Sequence, residues 1–398
     1  MNGESSTMLA NDSSEGSIVS LASRLIACPS ITPKDAGAQQ ILARQLELLG
    51  FTVKPIIDGE SCAFWAELIS SDKGAPLLAF SGHTDVVPPG DLSQWTSDPF
   101  TPAIRDGYLY GRGMADMKGN IASFMVAIEE FLKEAKVPPS ISLGVMIAGD
   151  EEGAPNCGTA NIMKYLQASG RTLDYCIVSE PTSVESLGDT VKNGRRGSVL
   201  GEISVQGIQG HSAYPERAKN PIHIALQAFE ALTSYDWDLE SPNQTPKTTL
   251  QFTSIHSDAG ASNVIPGSLS AVFNIRYPLR IEEEVIRNTV HSILSSHGLS
   301  FSISWDFHAA PFLTSGGKLL ETACRVIKEL TDISTTCSSG GGTSDARFIA
   351  PFCKEVLELG LVGSSMHAIN EHAKIADLVK LKDIYKRIVQ GLQSQTPR

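Results

Sequence analysis

Cysteine pairs, long apolar runs and positive charge are what this 398-residue chain has least of. No run of about 18 apolar residues occurs, which removes a membrane-spanning helix. The seven cysteines (Cys28, Cys62, Cys157, Cys176, Cys324, Cys337, Cys353) include no CxxC pair. An odd, dispersed set reads as reduced core thiols rather than a disulfide framework. Lysine and arginine number 32 against 44 acidic residues, a net charge of −12. That balance disfavours a nucleic-acid partner held through its phosphates. The N-terminal MNGESSTMLANDSSEGS lacks a basic start followed by an apolar stretch, so no secretory signal is expected. Residues 1–16 read as a disordered tail, and the cytoplasm as the default compartment.

What is present alternates in type along the chain. Helical patterns near 17–27, 34–50 and 119–134 are separated by FWAELIS, APLLAFSGHTD, ISLGVMIAG and YCIVSE, which read as strands. Near-continuous apolar strands between helices predict an α/β layer, a sheet covered on both faces. From 184 to 311 the pattern changes to strands with turn residues between them and two helices, near 221–234 and 281–297. This predicts a smaller α+β domain inserted into the first, with 17–183 and 312–398 forming one catalytic body.

The informative polar residues sit where predicted strands end. His83 and Asp85 in SGHTD are two apart and face one side of an extended chain. Asp116 lies in GRGMADMKG, Glu151 and Glu152 in GDEEG, Glu180 at the end of YCIVSE, and His367 in SSMHAINE. Taken singly, such a carboxylate reads as a helix cap or a solvated loop residue, and such a histidine as a structural imidazole. Together, His83, Asp116, Glu152, Glu180 and His367 make the mixed imidazole and carboxylate set that suits zinc or a similar divalent ion. Three carboxylates with two neutral imidazoles bring three negative charges against four positive ones on two ions, and one hydroxide completes neutrality. Adjacent side chains point differently, so Glu152 can ligate while Glu151 stays free as a general base. Asp85 suits a supporting role, accepting the remaining N–H of His83, although a simple turn residue reads the same way.

SGHTDVVPPGDLSQW, SDPFTPAIRDGYLYGRGMADMKG, GDEEGAPNCGT, YCIVSEPTS and MHAINE resemble the metal-site motifs of the M20 family of dinuclear zinc peptidases and deacylases. The resemblance spans about 18–395. VKNGRRGS, VQGIQGHSAYPERAKNPIH, NVIPGSLSAVFNIRY and GGTSDARFIAP are most similar to the branch acting on an N-succinylated diamino dicarboxylate. What it implies is a zinc-peptidase-like catalytic domain with an inserted dimerisation domain, a homodimer, and two zinc ions per subunit, with cobalt or manganese as substitutes. One ion would be held by His83 and Glu180 and the other by Glu152 and His367, with Asp116 bridging and Glu151 as general base. His211, which alone reads as a loop histidine, would reach the partner subunit's active site and stabilise the oxyanion. Arg195 and Arg276 would bind substrate carboxylates, with Asn263, Gly342 and Thr343 adding hydrogen bonds. The glycines of SSGGGTSD (338–345) would let backbone N–H groups approach an anion, although the stretch also reads as a flexible turn. Within the family the rivals are an acetylornithine deacetylase and a dipeptidase. Outside enzymes, the rival is a metal-dependent scaffold, in which Glu151 would have no task.

Overall fold

Every residue of the strands Leu77–His83 and Ser142–Ala148 is buried, as expected for strands covered on both faces. In this computed structural model, which describes residues 13–59, 61–135, 139–153, 158–241 and 244–393, they are neighbours in an eight-stranded sheet. Its order is Thr52–Asp58, Ser61–Leu68, Ser142–Ala148, Leu77–His83, Leu173–Val178, Cys353–Glu358, Thr190–Lys192 and Thr336–Ser338. Ser142–Ala148, Leu77–His83, Leu173–Val178 and Cys353–Glu358 run parallel, and the Thr52–Asp58 and Ser61–Leu68 edge is antiparallel. Parallel neighbours bring their C-terminal ends to one rim of the sheet, where the loops that follow can converge.

The chain divides into two units. The first runs to Asn193 and resumes over Thr314–Ser338 and from Ser344 onward; the second is Gly194–Leu313 with Ser339–Thr343. In the first, the helices Ser14–Ile26, Ala38–Leu48, Gly119–Glu134, Lys318–Thr331 and Ile375–Leu392 share one apolar core with the sheet. The second has a core of its own. Its four antiparallel strands, in the order Thr249–His256, Ser268–Tyr277, Gly197–Gln206 and Ser300–Ala309, carry the helices Pro221–Ser234 and Glu283–Ser296. Along Ser268–Tyr277 the buried residues alternate (Leu269, Ala271, Phe273, Ile275, Tyr277), the period-two signature of a sheet with one face on the core. The fold is thus an α/β layer with a separate, two-layered α+β unit.

Three sequence expectations shift. The first crossing between units falls at 193/194 rather than at 183/184. Residues 190–192 form a short strand of the large sheet, paired with Thr336–Ser338 and with Glu358, which keeps 184–193 in the first unit. Residues 339–343 go with the second unit, where Arg195 Nη1 donates to the Gly342 carbonyl at 3.2 Å. The N-terminal helix begins at Ser14, inside the expected tail, because the Ser13 hydroxyl caps the Gly16 N–H. Residues 1–12 lie outside the described residues, as does Cys157. The other six cysteines are free thiols; only Cys176 is buried and Cys337 is exposed, so they are not uniformly core residues. Among the described residues no helix is long and apolar enough to cross a membrane.

One ionic cluster ties three helices of the first unit together. The Glu130 carboxylate accepts from Lys382 Nζ at 3.0 Å, Lys386 Nζ at 2.7 Å and the Ser14 hydroxyl at 2.5 Å. Burial pushes this carboxyl up, but Lys386, Ser14 and Lys382 outweigh it and hold it at about 2, below its ordinary 4.5. A depressed carboxyl adds stability above its unfolded pKa, and that stability is lost as the pH falls through the folded value. Glu130→Gln should therefore lose about 1–2 kcal/mol at neutral pH, discounting a buried-pair loss for partial exposure. Its stability should also fall less steeply than the parent's between pH 4.5 and 2, as urea titrations across that range would show.

Candidate metal centre

Three adjacent parallel strands deliver three of the five expected ligands to one rim. His83 is the last residue of its strand, Glu152 follows Ser142–Ala148 by four residues, and Glu180 follows Leu173–Val178 by two. Asp116 lies in the tight turn Met114–Lys118 before the helix Gly119–Glu134, and His367 in the loop before the short strand His372–Lys374.

The two oxygens of Asp116 face different histidines. Oδ1 is 3.2 Å from His83 Nε2, and Oδ2 is 3.4 Å from His367 Nε2. Glu180 Oε1 stands 3.9 Å from His83 Nε2, and Glu152 Oε1 stands 2.8 Å from His367 Nε2. Ligand atoms ~2.0–2.2 Å from a tetrahedral zinc lie roughly 3.3–3.6 Å from one another. The spacing around Asp116 matches that edge length on both sides. Among the described residues, His83, Asp116 and Glu152 offer ligand atoms that all lie within 4.8 Å of one another. The donor set fits a pair of divalent ions, one on each side of Asp116.

The electrostatics make the same demand for positive charge. Asp116 and Glu152 hold the His367 imidazolium up to about 10. Burial works against His83, yet Asp116 and Asp85 keep its pKa well above 6.5. Burial also raises Glu180, helped by the charges of Asp116 and Glu151. At Glu151 burial is the largest effect; Asp345, Glu152 and Asp116 add to it, His83 opposes it, and the carboxyl is pushed up to about 8. A buried carboxylate cluster that gathers protons in this way is one that metal ions would neutralise instead.

Asp85 does more than the sequence indicates. His83 Nδ1 lies 3.0 Å from the Asp85 peptide oxygen and 3.5 Å from its Oδ1, so the peptide oxygen is the nearer acceptor. The carboxylate itself accepts the backbone N–H groups of Glu151 (3.2 Å) and Glu152 (3.0 Å). It thereby fixes the turn that carries these two side chains.

The remaining expected site residues are all in the second unit. Gly210–His211 pairs with Val264–Ile265, and the Ser212 N–H donates to the Asn263 carbonyl, so His211 and Asn263 share one small ribbon. The Ala213 N–H donates to His211 Nδ1 at 3.0 Å, which leaves the hydrogen of the neutral ring on Nε2. Arg195 is in the ribbon Gly194–Arg195 with Phe312–Leu313, against Gly342; Thr343 ends that segment. Arg276, on the strand Ser268–Tyr277, is held by Asn274 Oδ1 at 2.9 Å from its Nε. The helix after the SSGGGTSD loop, Ala346–Ile349, is only four residues long.

Sequence reasoning missed Arg112 and Glu371. Both are buried, and their side chains meet at 2.7 Å beneath the Asp116 turn. Their only trace in the sequence is position, four residues before Asp116 and four after His367, within motifs already noted for other residues.

The sequence model of peptidase family M20/M25/M40 matches residues 79–391. The chain belongs to this family. It is 46% identical over 381 residues to a curated succinyl-diaminopimelate desuccinylase of Paracidovorax citrulli, covering 94% of this chain and 97% of that one. It is also 46% identical over 374 residues to the enzyme of that name from Dechloromonas aromatica, covering 94% and 98%. Among solved structures, this M20 chain is similar to aminopeptidase PepT of Bacillus cereus (TM-score 0.77, 19% identity, 96% and 99% covered). It also resembles a dinuclear metal-binding M20 peptidase of Bacillus subtilis (TM-score 0.71, 13% identity, 95% and 98% covered). At these identities the structural likeness speaks for the fold, the α/β layer with its second unit.

Proposed function

We propose that this M20 hydrolase cleaves the amide of N-succinyl-LL-2,6-diaminopimelate, giving succinate and LL-2,6-diaminopimelate, a step toward diaminopimelate and lysine. The observation that carries the reaction type is Asp116 facing a histidine with each oxygen, beside a carboxylate pair oriented by Asp85. The substrate rests on the curated relatives' name across nearly the full chain.

His83 and Glu180 would hold one zinc and Glu152 and His367 the other, Asp116 bridging. The ions, when bound, supply Lewis acidity toward the scissile carbonyl and toward water. Glu151 takes the proton from the attacking water and returns it to the leaving nitrogen, so the amide and one water become a carboxylate and an amine. His211, whose Nδ1 accepts the Ala213 N–H, carries a hydrogen on Nε2 that suits the developing oxyanion. In a homodimer, that donor would come from the partner subunit's copy of the second unit. Arg195 and Arg276 offer guanidinium groups for the substrate's carboxylates, and Asn263, Gly342 and Thr343 would add hydrogen bonds.

The zinc-loaded protein should release succinate from N-succinyl-LL-diaminopimelate at least about 100-fold faster, by kcat/KM, than it releases acetate from N-acetylornithine, a gap of about 2.7 kcal/mol in transition-state binding. A preference for acetylornithine would keep the metal chemistry and overturn the substrate. Inactivity on both with two ions bound would overturn the assignment of Arg195 and Arg276 to the substrate's carboxylates.

A further inference from the structure

Two of the five proposed ligands do not ride on the central sheet. His83 ends a fully buried strand, and Glu180 follows its parallel neighbour. Asp116 and His367, by contrast, sit in turns far apart in sequence. What joins those turns is one carboxylate. Glu371 Oε2 accepts from Arg112 Nη1 at 2.7 Å and from the Gly113 N–H at 2.9 Å. Its Oε1 accepts from the Ala115 N–H at 2.9 Å and the Asp116 N–H at 3.1 Å. Four donors converge on one buried anion, one of them the peptide N–H of the bridging ligand itself.

The arrangement is built in from both sides. The Gly111 N–H donates to the Glu371 carbonyl at 2.9 Å, and Tyr110 pairs with His372, so strand register places Glu371 under the turn. Gly113 adopts φ +84°, and a Cβ there would come within 2.5 Å of Val86 Cγ1. Only glycine lets the turn aim its N–H groups at one point in this way. Arg112 completes the link: its Nη2 reaches the carbonyl of His367 at 3.4 Å and of Pro88 at 3.5 Å. Its guanidinium also lies 5.2 Å from the Trp95 ring centre. Arg112 and Glu371 thus hold the Asp116 peptide and the His367 peptide as one body.

We infer that Arg112 and Glu371 are positioning residues for one half of the metal centre: they set Asp116 Oδ2 opposite His367 Nε2, so the ion on the Glu152–His367 side depends on them. The ion on the His83–Glu180 side shares Asp116 but has its other two ligands at the ends of sheet strands, and depends on them less. This rests on the two-ion reading above.

The test is cobalt or zinc titration of the full chain under buffered free metal, with bound metal counted after gel filtration. The parent should bind two ions. Glu371→Gln puts an amide where four donors need an acceptor, and should bind the second ion about 10–100-fold more weakly, the range seen when partners behind metal ligands are removed. Its one-cobalt absorption spectrum should match that of His367→Ala and not that of His83→Ala. Arg112→Lys keeps the charge but loses the reach to the His367 carbonyl, and should show a smaller loss on the same ion. A parent that binds fewer than two ions would overturn the two-ion reading itself. A two-ion parent whose Glu371→Gln variant binds both ions unchanged, whatever its melting temperature, would overturn only the inference, as would equal weakening of both ions. Should Glu371→Gln not fold, Arg112→Lys decides: unchanged affinity for the second ion overturns the proposal.

Discussion

Glu151→Gln is expected to lower kcat for succinate release by about 10²–10⁴-fold, the usual contribution of a general base, while the protein still binds two metal ions. The substitution is chosen for what it preserves. Glu151 is held in its turn through its backbone N–H, which donates to Asp85 Oδ1 at 3.2 Å, and that bond does not depend on the side chain. Glu152, whose N–H is held by Asp85 Oδ2 at 3.0 Å, therefore keeps its direction toward His367. Glutamine fills the same space but cannot take up a proton from water at neutral pH. Rate and metal content should then separate: turnover collapses, and metal analysis still returns two ions per chain. Glu152→Gln is the contrast, since removing a ligand should cost metal as well as rate. If Glu151→Gln kept more than about a tenth of the parent rate, the base would have to be another group. If it lost an ion, Glu151 would be a ligand and the division between the two glutamates would be wrong.

The parts of this molecule that could be read from the sequence are those with a local signature. His83 and Asp85 are two apart at the end of an apolar strand, so period-two geometry alone puts them on one side. Leu77–His83 and Ser142–Ala148 are apolar enough to be recognised as strands with both faces covered, which led directly to a chemistry located at their ends. The alternation along Ser268–Tyr277 distinguished the second unit from the first. What resisted reading lacked such a signature. Thr190–Lys192 is three residues long and belongs to the large sheet only because Thr336–Ser338, far along the chain, pairs with it. Residues 339–343 leave the first unit through contacts such as that of Gly342 with Arg195, and contacts of that kind leave no pattern in either segment. Glu371 was hidden for a similar reason. Its partners are mainly backbone N–H groups, which every residue has, so nothing in the identity of residues 113–116 announces that a carboxylate must come to meet them. Tertiary hydrogen bonding to the main chain is specific in space and silent in sequence.

Removing the metal should abolish turnover and also lower stability, by an amount that grows with pH. In the metal-free protein, Asp116, Glu151, Glu152 and Glu180 crowd one rim, and protons must take the place of cations. His367 is held up to about 10 by Asp116 and Glu152, and His83 is held well above its ordinary 6.5. The His367 ring is therefore protonated at neutral pH without metal and must lose that proton to ligate through Nε2, and the upward shift of His83 acts in the same direction. A raised histidine stabilises the metal-free fold fully below the unfolded pKa of 6.5, and that contribution disappears as the pH rises through the folded value, about 10 for His367. The same protons compete with metal, so metal affinity strengthens over that interval while the metal-free form weakens. At free zinc near a thousand times Kd the bound ion stabilises by about 4 kcal/mol. The melting-temperature gap between zinc-loaded and chelator-treated protein should accordingly be wider at pH 8.5 than at pH 6.5. Calorimetric titration of zinc in buffers of different ionisation enthalpy should report net proton release near pH 7. A gap that narrows with pH, or binding with no proton release, would mean that these imidazoles are not the ligands. Persistence of turnover after complete chelation would remove the metal from the chemistry altogether and leave Glu151 without the activated water on which its role depends.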